Sequence, residues 1–257
     1  TYGLSIINTH LVAGSSIVLN NKTFLDKEFW KKINEQSVQN FNGVPFMYEI
    51  LDKLKFEDMM PKSIKYITQA GGKLNRGIFE KFIKISREKK IKFISMYGQT
   101  EATSRMSYLS WLSAEKKIGS IGKALSGGNF YLVNDQNKPI QNHGIEGELV
   151  YEGENVSLGY SEKLSDLNLD DTNKGKLFTG DIAYKDEDNF YFICGRKKRI
   201  SKLFGVRINL DEIESIAKSF GIDAAITSND KKIFCFINKK INNNSIINQI
   251  SKNIGIN

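Results

Sequence analysis

The chain has 257 residues, 40% of them hydrophobic, and a net charge of +8 from 37 basic and 29 acidic side chains. That length holds one large or two smaller domains, and because the basic residues are dispersed among acidic ones, the charge does not favour a nucleic-acid-binding protein. No apolar run approaches the ~20 residues of a membrane span and no signal peptide opens the chain, so we expect a cytoplasmic protein without a membrane span.

The first 117 residues alternate between helical and strand-like patterns. Apolar periodicity and helix-end signals predict helices over 2–13, 24–37, from Pro45 onward and over 75–90. Strand-like runs occupy 16–19, 38–42, 64–68 and 91–96. The order strand, glycine loop, helix, strand is that of a parallel βαβ unit. We therefore predict an α/β subdomain with a parallel sheet over residues 1–117.

Two loops after the last two predicted strands concentrate polar groups. Gln69 to Lys73 (QAGGK) follows one strand, and Tyr97 to Thr103 (YGQTEAT) follows the next. Open α/β sheets bind ligands at the carboxyl ends of their strands, so both loops should face a common crevice. Hydroxyls and amides bind phosphate oxygens, a carboxylate can hold Mg²⁺ and an aromatic face can stack on a base, which suits a nucleoside triphosphate. A polar strand-to-helix turn is the alternative interpretation.

After residue 118 the pattern changes to short strands and glycine turns. Strands are predicted over 130–133, 148–151, 177–184 and 191–194, with a hairpin loop over 185–189. This pattern predicts an antiparallel, β-barrel-like subdomain over 118–196. A small α+β domain is predicted over 197–257, with a helix capped by Asn209 and ending near Phe220. Its other predicted elements are strands over 224–227 and 233–237 and a short helix near 245–252.

Thr179-Gly180-Asp181 lies within a predicted strand and includes a carboxylate. An aspartate after a glycine at a strand end can accept both hydroxyls of a ribose, whereas the alternative is a turn aspartate that caps its own backbone. The dense basic run of the chain is Arg196 to Arg199. Cys194 and Cys235 lie in apolar strand-like runs without metal-ligand or disulfide spacing, so we expect reduced thiols in the core.

Four segments, in chain order, resemble motifs of the adenylate-forming, AMP-binding enzymes: acyl-CoA synthetases, luciferases and peptide-synthetase adenylation domains. AGGKL (Ala70 to Leu74) resembles an SGGAPL-type segment, and YGQTE (Tyr97 to Glu101) resembles YGxTE. GELVYEGENVSLGY (Gly147 to Tyr160) resembles GELxxxGxxxxxGY, and Leu177 to Glu214 resembles TGDxxxxDxxGxxxxxGRxKxxIKxxGxxIxxxEIE. A pentapeptide alone is a weak signal, but four motifs in order at family spacing are specific.

The resemblance implies a two-step ligase that uses ATP and Mg²⁺ and releases AMP. A carboxylic acid attacks the α-phosphate to give an acyl-adenylate, and a thiol of coenzyme A or of carrier-protein phosphopantetheine then takes the acyl group. Charge that builds on the α-phosphate needs fixed donors and a cation. The implied catalytic residues are Thr100 on phosphate, Glu101 as the Mg²⁺ ligand, and Arg196 on ribose or phosphate.

The same resemblance implies a nucleotide-binding set and a hinge. Tyr97 would stack on adenine, Ala70 to Gly72 would form the base slot, and Asp181 would bind the ribose hydroxyls. The full implied nucleotide-binding set is Ala70, Gly71, Gly72, Tyr97, Gly98, Gln99, Asp181 and Arg196. Lys198 falls at the family's hinge position, before a carboxyl-terminal lid that turns between the two half-reactions. The alternative for Lys198 is a solvated basic loop.

Two family features are not found in the sequence. We find neither the phosphate loop, expected before residue 1, nor the catalytic lysine, expected near the carboxyl end. The chain does not begin with Met, so we expect a fragment. Because the phosphate loop and the catalytic lysine are both missing from it, we expect this fragment to be inactive alone. The alternative of a non-catalytic nucleotide-binding module is disfavoured because Thr100, Glu101, Asp181 and Arg196 are all present.

The acyl substrate is only partly defined by the sequence. Tyr2-Gly3-Leu4-Ser5 aligns with the family's FDxS-type segment and has glycine where amino-acid-activating members have an aspartate for the substrate ammonium. A buried ammonium without a partner is costly, so an acid without an α-amine is favoured. The alternative is an amino-acid-adenylating enzyme of the peptide-synthetase or D-alanine ligase type.

Overall fold

A computed structural model describes residues 2–203, 206–229 and 232–237. Over the first half, helices and strands alternate. The helices are α1 (Tyr2–Val12), α2 (Lys27–Glu35), α3 (Pro45–Lys53), α4 (Phe56–Met59), α5 (Arg76–Lys89) and α6 (Trp111–Ala114). The strands are β1 (Asn40–Gly43), β2 (Tyr66–Gln69), β3 (Lys92–Tyr97), β4 (Ser107–Leu109) and β5 (Ser120–Ala124). The predicted α/β class is confirmed.

Strands β1, β2 and β3 are parallel neighbours, as the βαβ pattern predicts. Their register places Gly43, Gln69 and Ser95 side by side, so the loops after β2 and β3 leave the sheet at one edge. Helix α5 connects these two strands. It begins where predicted because the Asn75 side chain accepts hydrogen bonds from backbone N–H groups of the first turn.

An aromatic core holds helices α3, α4 and α5 against one face of the parallel sheet. Phe41, Ile67 and Phe93 contribute one residue from each strand, and all three are buried. The ring of Phe82 in α5 lies 4.8 Å from that of Tyr48 in α3, in an edge-to-face arrangement. This core fixes the positions of the strand ends, and therefore of the two glycine loops that follow β2 and β3.

The second half continues the same sheet with antiparallel strands. These are β6 (Gly128–Val133), β7 (Pro139–Ile140), β8 (Gly147–Gly153), β9 (Lys176–Lys185) and β10 (Tyr191–Arg196). The complete order is β1-β2-β3-β4-β5-β10-β9-β8-β6-β7. The antiparallel pattern agrees with the sequence, while the barrel-like closure and a domain boundary at 117/118 stay predictions. Phe130 and Tyr151 lie at the centre of a second core.

A small α+β unit follows β10. It contains β11 (Ile200–Leu203), β12 (Val206–Asn209), α7 (Leu210–Ser219), β13 (Ala224–Asn229) and β14 (Lys232–Ile237). The Asn209 side chain accepts from the backbone N–H of Asp211, which confirms the predicted helix cap. Ile208, Ile213 and Ile226 pack together in a core of its own. The helix predicted near 245–252 lies outside the described residues, and the boundary at 196/197 stays a prediction.

Three local features differ from the sequence predictions. Residues 16–19 do not form a strand, and they are absent from the strand pairings of the described sheet. Cys235 is exposed and Cys194 is only partly buried, so the prediction of two core thiols was wrong. Strands β4 and β5 had no sequence signal, being only three and five residues long. Among the described helices, none has the length and apolarity that a membrane crossing needs.

Candidate nucleotide-binding site

A crevice of about 1210 Å³ lies between the carboxyl edge of the parallel strands and helix α7. The predicted common crevice for the two glycine loops is therefore present. Its sequence-predicted lining residues are Gly71, Gly72, Tyr97, Gly98, Asp181 and Arg196. Asn209 and several polar residues of α7 line the opposite wall. Such a cleft, with polar groups from separate elements, is the usual form of a small-molecule site.

Two hydrogen bonds fix the conformation of the loop after β2. The Gln69 amide donates to the Gly72 carbonyl at 2.7 Å, and the Ser95 hydroxyl donates to the Gln69 amide oxygen at 2.9 Å. Gly71 has φ of +86°, a left-handed conformation that side chains rarely adopt. Ala70 is buried behind the loop and does not line the crevice. These hydrogen bonds hold the Gly71-Gly72 backbone at the wall of the cavity.

Asp181 is the most highly connected group in the crevice. Its carboxylate is buried, and its Oδ2 accepts from the Tyr97 hydroxyl at 2.6 Å and from the Gln99 amide at 3.0 Å. Its Oδ1 lies 2.7 Å from Nε of Arg196, which is 57% exposed. Burial raises the pKa of Asp181, although the Tyr97 hydrogen bond and the Arg196 charge oppose that shift.

Tyr97 remains a hydrogen-bond donor in this arrangement. Burial, followed by the negative charge of Asp181, raises the pKa of the Tyr97 phenol far above its ordinary value. The Gln99 amide bridges the same carboxylate and the Thr179 carbonyl, at 3.0 Å and 2.8 Å. Because Asp181 is paired with Arg196 in the β9–β10 register, one carboxylate joins the β3 loop to both strands.

Thr100 and Glu101 lie next to the crevice without lining it. Both belong to a short 3₁₀ turn, Thr100–Ala102, and Thr100 is exposed. The Glu101 side chain accepts a hydrogen bond from the Tyr160 hydroxyl, and its backbone carbonyl accepts from the Ser157 N–H at 2.7 Å. The sequence-predicted residues therefore form two groups, one in the crevice and one beside it.

Lys198 lies between two residues that are held by ion pairs. Lys197 donates to the buried Glu148 of β8 at 2.5 Å, and Arg199 contacts Asp211 at 2.7 Å. Arg199 also donates to the Ile226 carbonyl at 2.7 Å. The residue before Lys198 is thus tied to the large sheet and the residue after it is tied to the small unit.

Two crevice residues received no site role from the sequence. Lys73 donates to the Ile193 carbonyl at 3.2 Å across the crevice, and the Asn209 amide donates to the Cys194 carbonyl at 2.9 Å. Lys73 follows the glycine pair, so its position in the loop was a usable signal. Asn209 was recognised only as a helix cap, and its second contact depends on the packing of the small unit against β10.

The fold and this crevice define the class of protein. A family model described as AMP-binding enzyme matches residues 1–161 of the 257, which is more than half of the chain. The chain belongs to the AMP-binding enzyme family, and the resemblance inferred from the four motifs is confirmed.

Individual members of the family are also similar to this chain. The 2-succinylbenzoate–CoA ligase of Bacillus licheniformis is 28% identical over 218 residues, 84% of this chain and 43% of that protein. O-succinylbenzoate coenzyme A synthetase of Bacillus subtilis, solved in complex with AMP, superposes with a TM-score of 0.80 at 24% identity over 98% of this chain and 52% of that one. The same enzyme solved with ATP and a magnesium ion gives 0.76 at 22%, over 98% and 52%. The chain spans about half the length of these relatives.

We expect Gly98→Ala to lower the free energy of unfolding by about 1–3 kcal/mol, the usual cost of overpacking. A Cβ at Gly98 would lie 2.3 Å from the backbone oxygen of Ser104, which cannot move aside without shifting the loop. Urea unfolding followed by circular dichroism measures the change.

Gly3→Ala is the matched control, because it adds the same methyl group in helix α1, where nothing lies within 4 Å. Alanine favours a helix over glycine by up to about 1 kcal/mol, so this variant should be unchanged or more stable. Equal stability of both variants would show that the loop has room to relax.

Proposed function

We propose that this chain forms the nucleotide-binding part of an ATP-dependent, AMP-forming acid–thiol ligase. The observation that carries the proposal is the buried Asp181 carboxylate in the crevice, with Tyr97, Gln99 and Arg196 on its two oxygens. These residues come from different motifs, yet they converge on one group. A buried carboxylate at the mouth of a cleft, with an exchangeable cation on it, suits recognition of ribose hydroxyls.

In this proposal the crevice holds the nucleoside. The Gly71-Gly72 backbone and the Tyr97 ring form the adenine slot, and Asp181 accepts the ribose hydroxyls. Arg196 is more than half exposed, so its guanidinium can leave Asp181 and contact ribose or phosphate. O-succinylbenzoate coenzyme A synthetase of Bacillus subtilis, which shares this fold, was solved in complex with AMP, and this supports a nucleotide as the ligand. Thr100 would bind phosphate from the turn beside the crevice.

Glu101 fits a Mg²⁺ ion that is held mainly by the nucleotide. Within the described ranges, no group of three or more His, Cys, Asp or Glu side chains could hold a metal. Mg²⁺ in nucleotide sites commonly takes one or two protein carboxylates together with phosphate oxygens and water, and Glu101 offers one carboxylate in the turn after β3. When bound, the ion would neutralise charge on the phosphates.

The acid and the thiol are proposed from the sequence and the relatives together. Gly3 stands in helix α1 where amino-acid-activating enzymes place a carboxylate, so we favour an acid without an α-amine. Several relatives are named 2-succinylbenzoate–CoA ligases, which supports such an acid and favours coenzyme A over a carrier protein as acceptor. Both assignments concern the complete protein.

The hinge at Lys198 is part of the same proposal. Lys197 is anchored on Glu148 of β8, and Arg199 is anchored on Asp211 of α7. Rotation of the small unit against the large sheet is therefore easiest at the single residue between them. A hinge needs only a few residues whose φ and ψ can change.

Asp181→Asn should weaken AMP binding to the chain about tenfold or more, because hydrogen bonds to a charged acceptor contribute about 1.5–3 kcal/mol each. The wild type should bind AMP more tightly than 2′,3′-dideoxy-AMP, and the variant should bind both alike. Ligand-observed NMR titration measures both affinities. Asp188→Asn, in the exposed hairpin, is the control and should bind like wild type. A variant that still discriminates the two nucleotides would move the ribose away from Asp181.

Glu101→Gln should remove the gain in ATP affinity that Mg²⁺ gives, while AMP affinity without metal stays the same. The amide keeps the size of the side chain but lacks the negative charge that binds the ion. Glu154→Gln removes the same charge from an exposed position in the loop after β8 and serves as control. Titrations with ATP, with and without Mg²⁺, give the result. An undiminished Mg²⁺ effect in Glu101→Gln would exclude this carboxylate as the metal ligand.

Lys198→Pro should slow one half-reaction at least tenfold more than the other, because proline fixes φ near −65° and removes a backbone donor. Adenylation is measured by pyrophosphate exchange and thioester formation by transfer to coenzyme A, in a protein that carries both activities. Lys198→Ala is the control, since it removes the side chain and leaves the backbone free. Equal slowing of both half-reactions by Lys198→Pro would place the pivot elsewhere.

A further inference from the structure

The turn that carries Glu101 is held by the loop of residues 155–160, which follows β8. The backbone N–H of Ser157 donates to the Glu101 carbonyl at 2.7 Å. From the same loop, the Tyr160 hydroxyl donates to Oε1 of the Glu101 side chain. One loop therefore contacts both the backbone and the carboxylate of the residue that we assign to Mg²⁺.

The turn after β3 depends on such contacts because part of its backbone is strained. Thr103 and Ser104 both have φ of +64°, a left-handed conformation that is uncommon for residues other than glycine. Such a backbone persists only where the surrounding structure holds it. The Asn155 side-chain amide supplies part of this support, since it donates to the Ala102 carbonyl at 2.9 Å and to the Thr103 hydroxyl at 3.2 Å.

The 155–160 loop is itself fixed on the segment that leads into β9. The backbone N–H and the hydroxyl of Thr172 both donate to the Leu158 carbonyl at 2.8 Å. The Asn173 side-chain amide donates to the carbonyl of Ser157 at 2.7 Å. Gly159 has φ of +149°, and an added Cβ there would lie 2.3 Å from the Thr172 hydroxyl. The backbone that leads to the tyrosine is therefore held at a defined distance from the turn after β3.

Tyr160 is placed by its hydroxyl and not by burial of its ring. The residue is 74% exposed, and its hydroxyl contacts the carboxylate of Glu101. A neutral hydroxyl leaves the negative charge of a carboxylate in place, and with Oε1 as the acceptor the lone pairs of Oε2 stay available to an ion. Glu148, by contrast, is paired with the Lys197 ammonium at 2.5 Å, which neutralises its charge. The Tyr160 contact thus orients Glu101 without neutralising it.

We propose that Tyr160 is a positioning residue, which orients the Glu101 carboxylate so that it can bind the Mg²⁺ ion of the nucleotide. The inference rests on the proposed function, in which Glu101 is the metal ligand. Hydrogen bonds to a ligating side chain fix its orientation, and their loss typically costs about 10–100-fold in metal affinity. Mg²⁺ is sensitive to ligand orientation because it requires nearly ideal octahedral geometry.

Tyr160→Phe tests the proposal without any chemical step. Dissociation constants of ATP for the purified chain, with and without Mg²⁺, come from ligand-observed NMR titration, and their ratio is the gain that Mg²⁺ gives. In Tyr160→Phe this gain should fall about tenfold, or disappear where it is smaller than that, because the carboxylate loses its fixed orientation. AMP affinity without metal should stay that of the wild type, which also shows that the variant is folded.

Tyr131→Phe is the matched control. The Tyr131 hydroxyl donates to Oε1 of Glu152 at 3.3 Å, between strands β6 and β8, and neither residue lines the crevice. The substitution removes the same hydroxyl from the same type of pair, so it should leave the Mg²⁺ gain unchanged. A gain that survives in Tyr160→Phe, or that falls equally in Tyr131→Phe, would overturn the inference.

Calcium separates orientation from charge and from a general disturbance of the loop. Ca²⁺ accepts flexible geometry, so Tyr160→Phe should lose less of the gain with Ca²⁺ than with Mg²⁺. Glu101→Gln removes the charge and should lose both gains. Equal loss of both gains in Tyr160→Phe, or a lower AMP affinity without metal, would indicate a merely structural role and contradict the proposal.

The Glu101→Gln arm also separates this inference from the proposed function. A Mg²⁺ gain that is lost in Glu101→Gln and kept in Tyr160→Phe overturns the positioning role alone. An undiminished gain in Glu101→Gln, or a wild type without any gain, overturns the metal assignment in the proposed function, and the role of Tyr160 with it.

Discussion

The Asp181 carboxylate is the constraint on which the crevice depends. A carboxylate this deeply buried is stable only when its lone pairs are satisfied, and here Tyr97, Gln99 and Arg196 supply the donors. Tyr97 is 84 residues away along the chain. One charged group therefore aligns the β3 loop, strand β9 and the last residue of β10 on one side of the crevice.

These three donors differ in how easily they can be exchanged. Tyr97 is largely buried and keeps its proton, so its hydroxyl has little alternative to Asp181. Arg196 is 57% exposed and can be solvated elsewhere. A ligand hydroxyl would thus replace the arginine and leave the tyrosine in place. Such a movement of Arg196 would occur two residues before the proposed hinge at Lys198. The residue between them, Lys197, is held by its ion pair with Glu148.

The sequence predicted features that depend on local signals. Asn75 and Asn209 cap their helices because capping uses neighbouring backbone groups, and the parallel β2–α5–β3 unit follows from apolar periodicity. The crevice contacts of Gln99 and the Tyr160–Glu101 hydrogen bond join residues 82 and 59 positions apart, which no local pattern specifies. The strand predicted at 16–19 was wrong for a related reason. A strand forms only when another strand pairs with it, and the local apolar pattern does not specify whether such a partner is present.

Charge neutralisation separates the structural cations from those with capacity for a ligand. Lys117 and Arg199 each contact two carboxylates, which neutralise their charges. These ion pairs hold the 185–189 hairpin loop and helix α7 in place. Arg196 shares one carboxylate from an exposed position, and Arg105 has none among the described residues. The two arginines lie on opposite sides of the loop that begins at Gly98. An anionic ligand that reaches both sides of that loop would interact favourably with both charges.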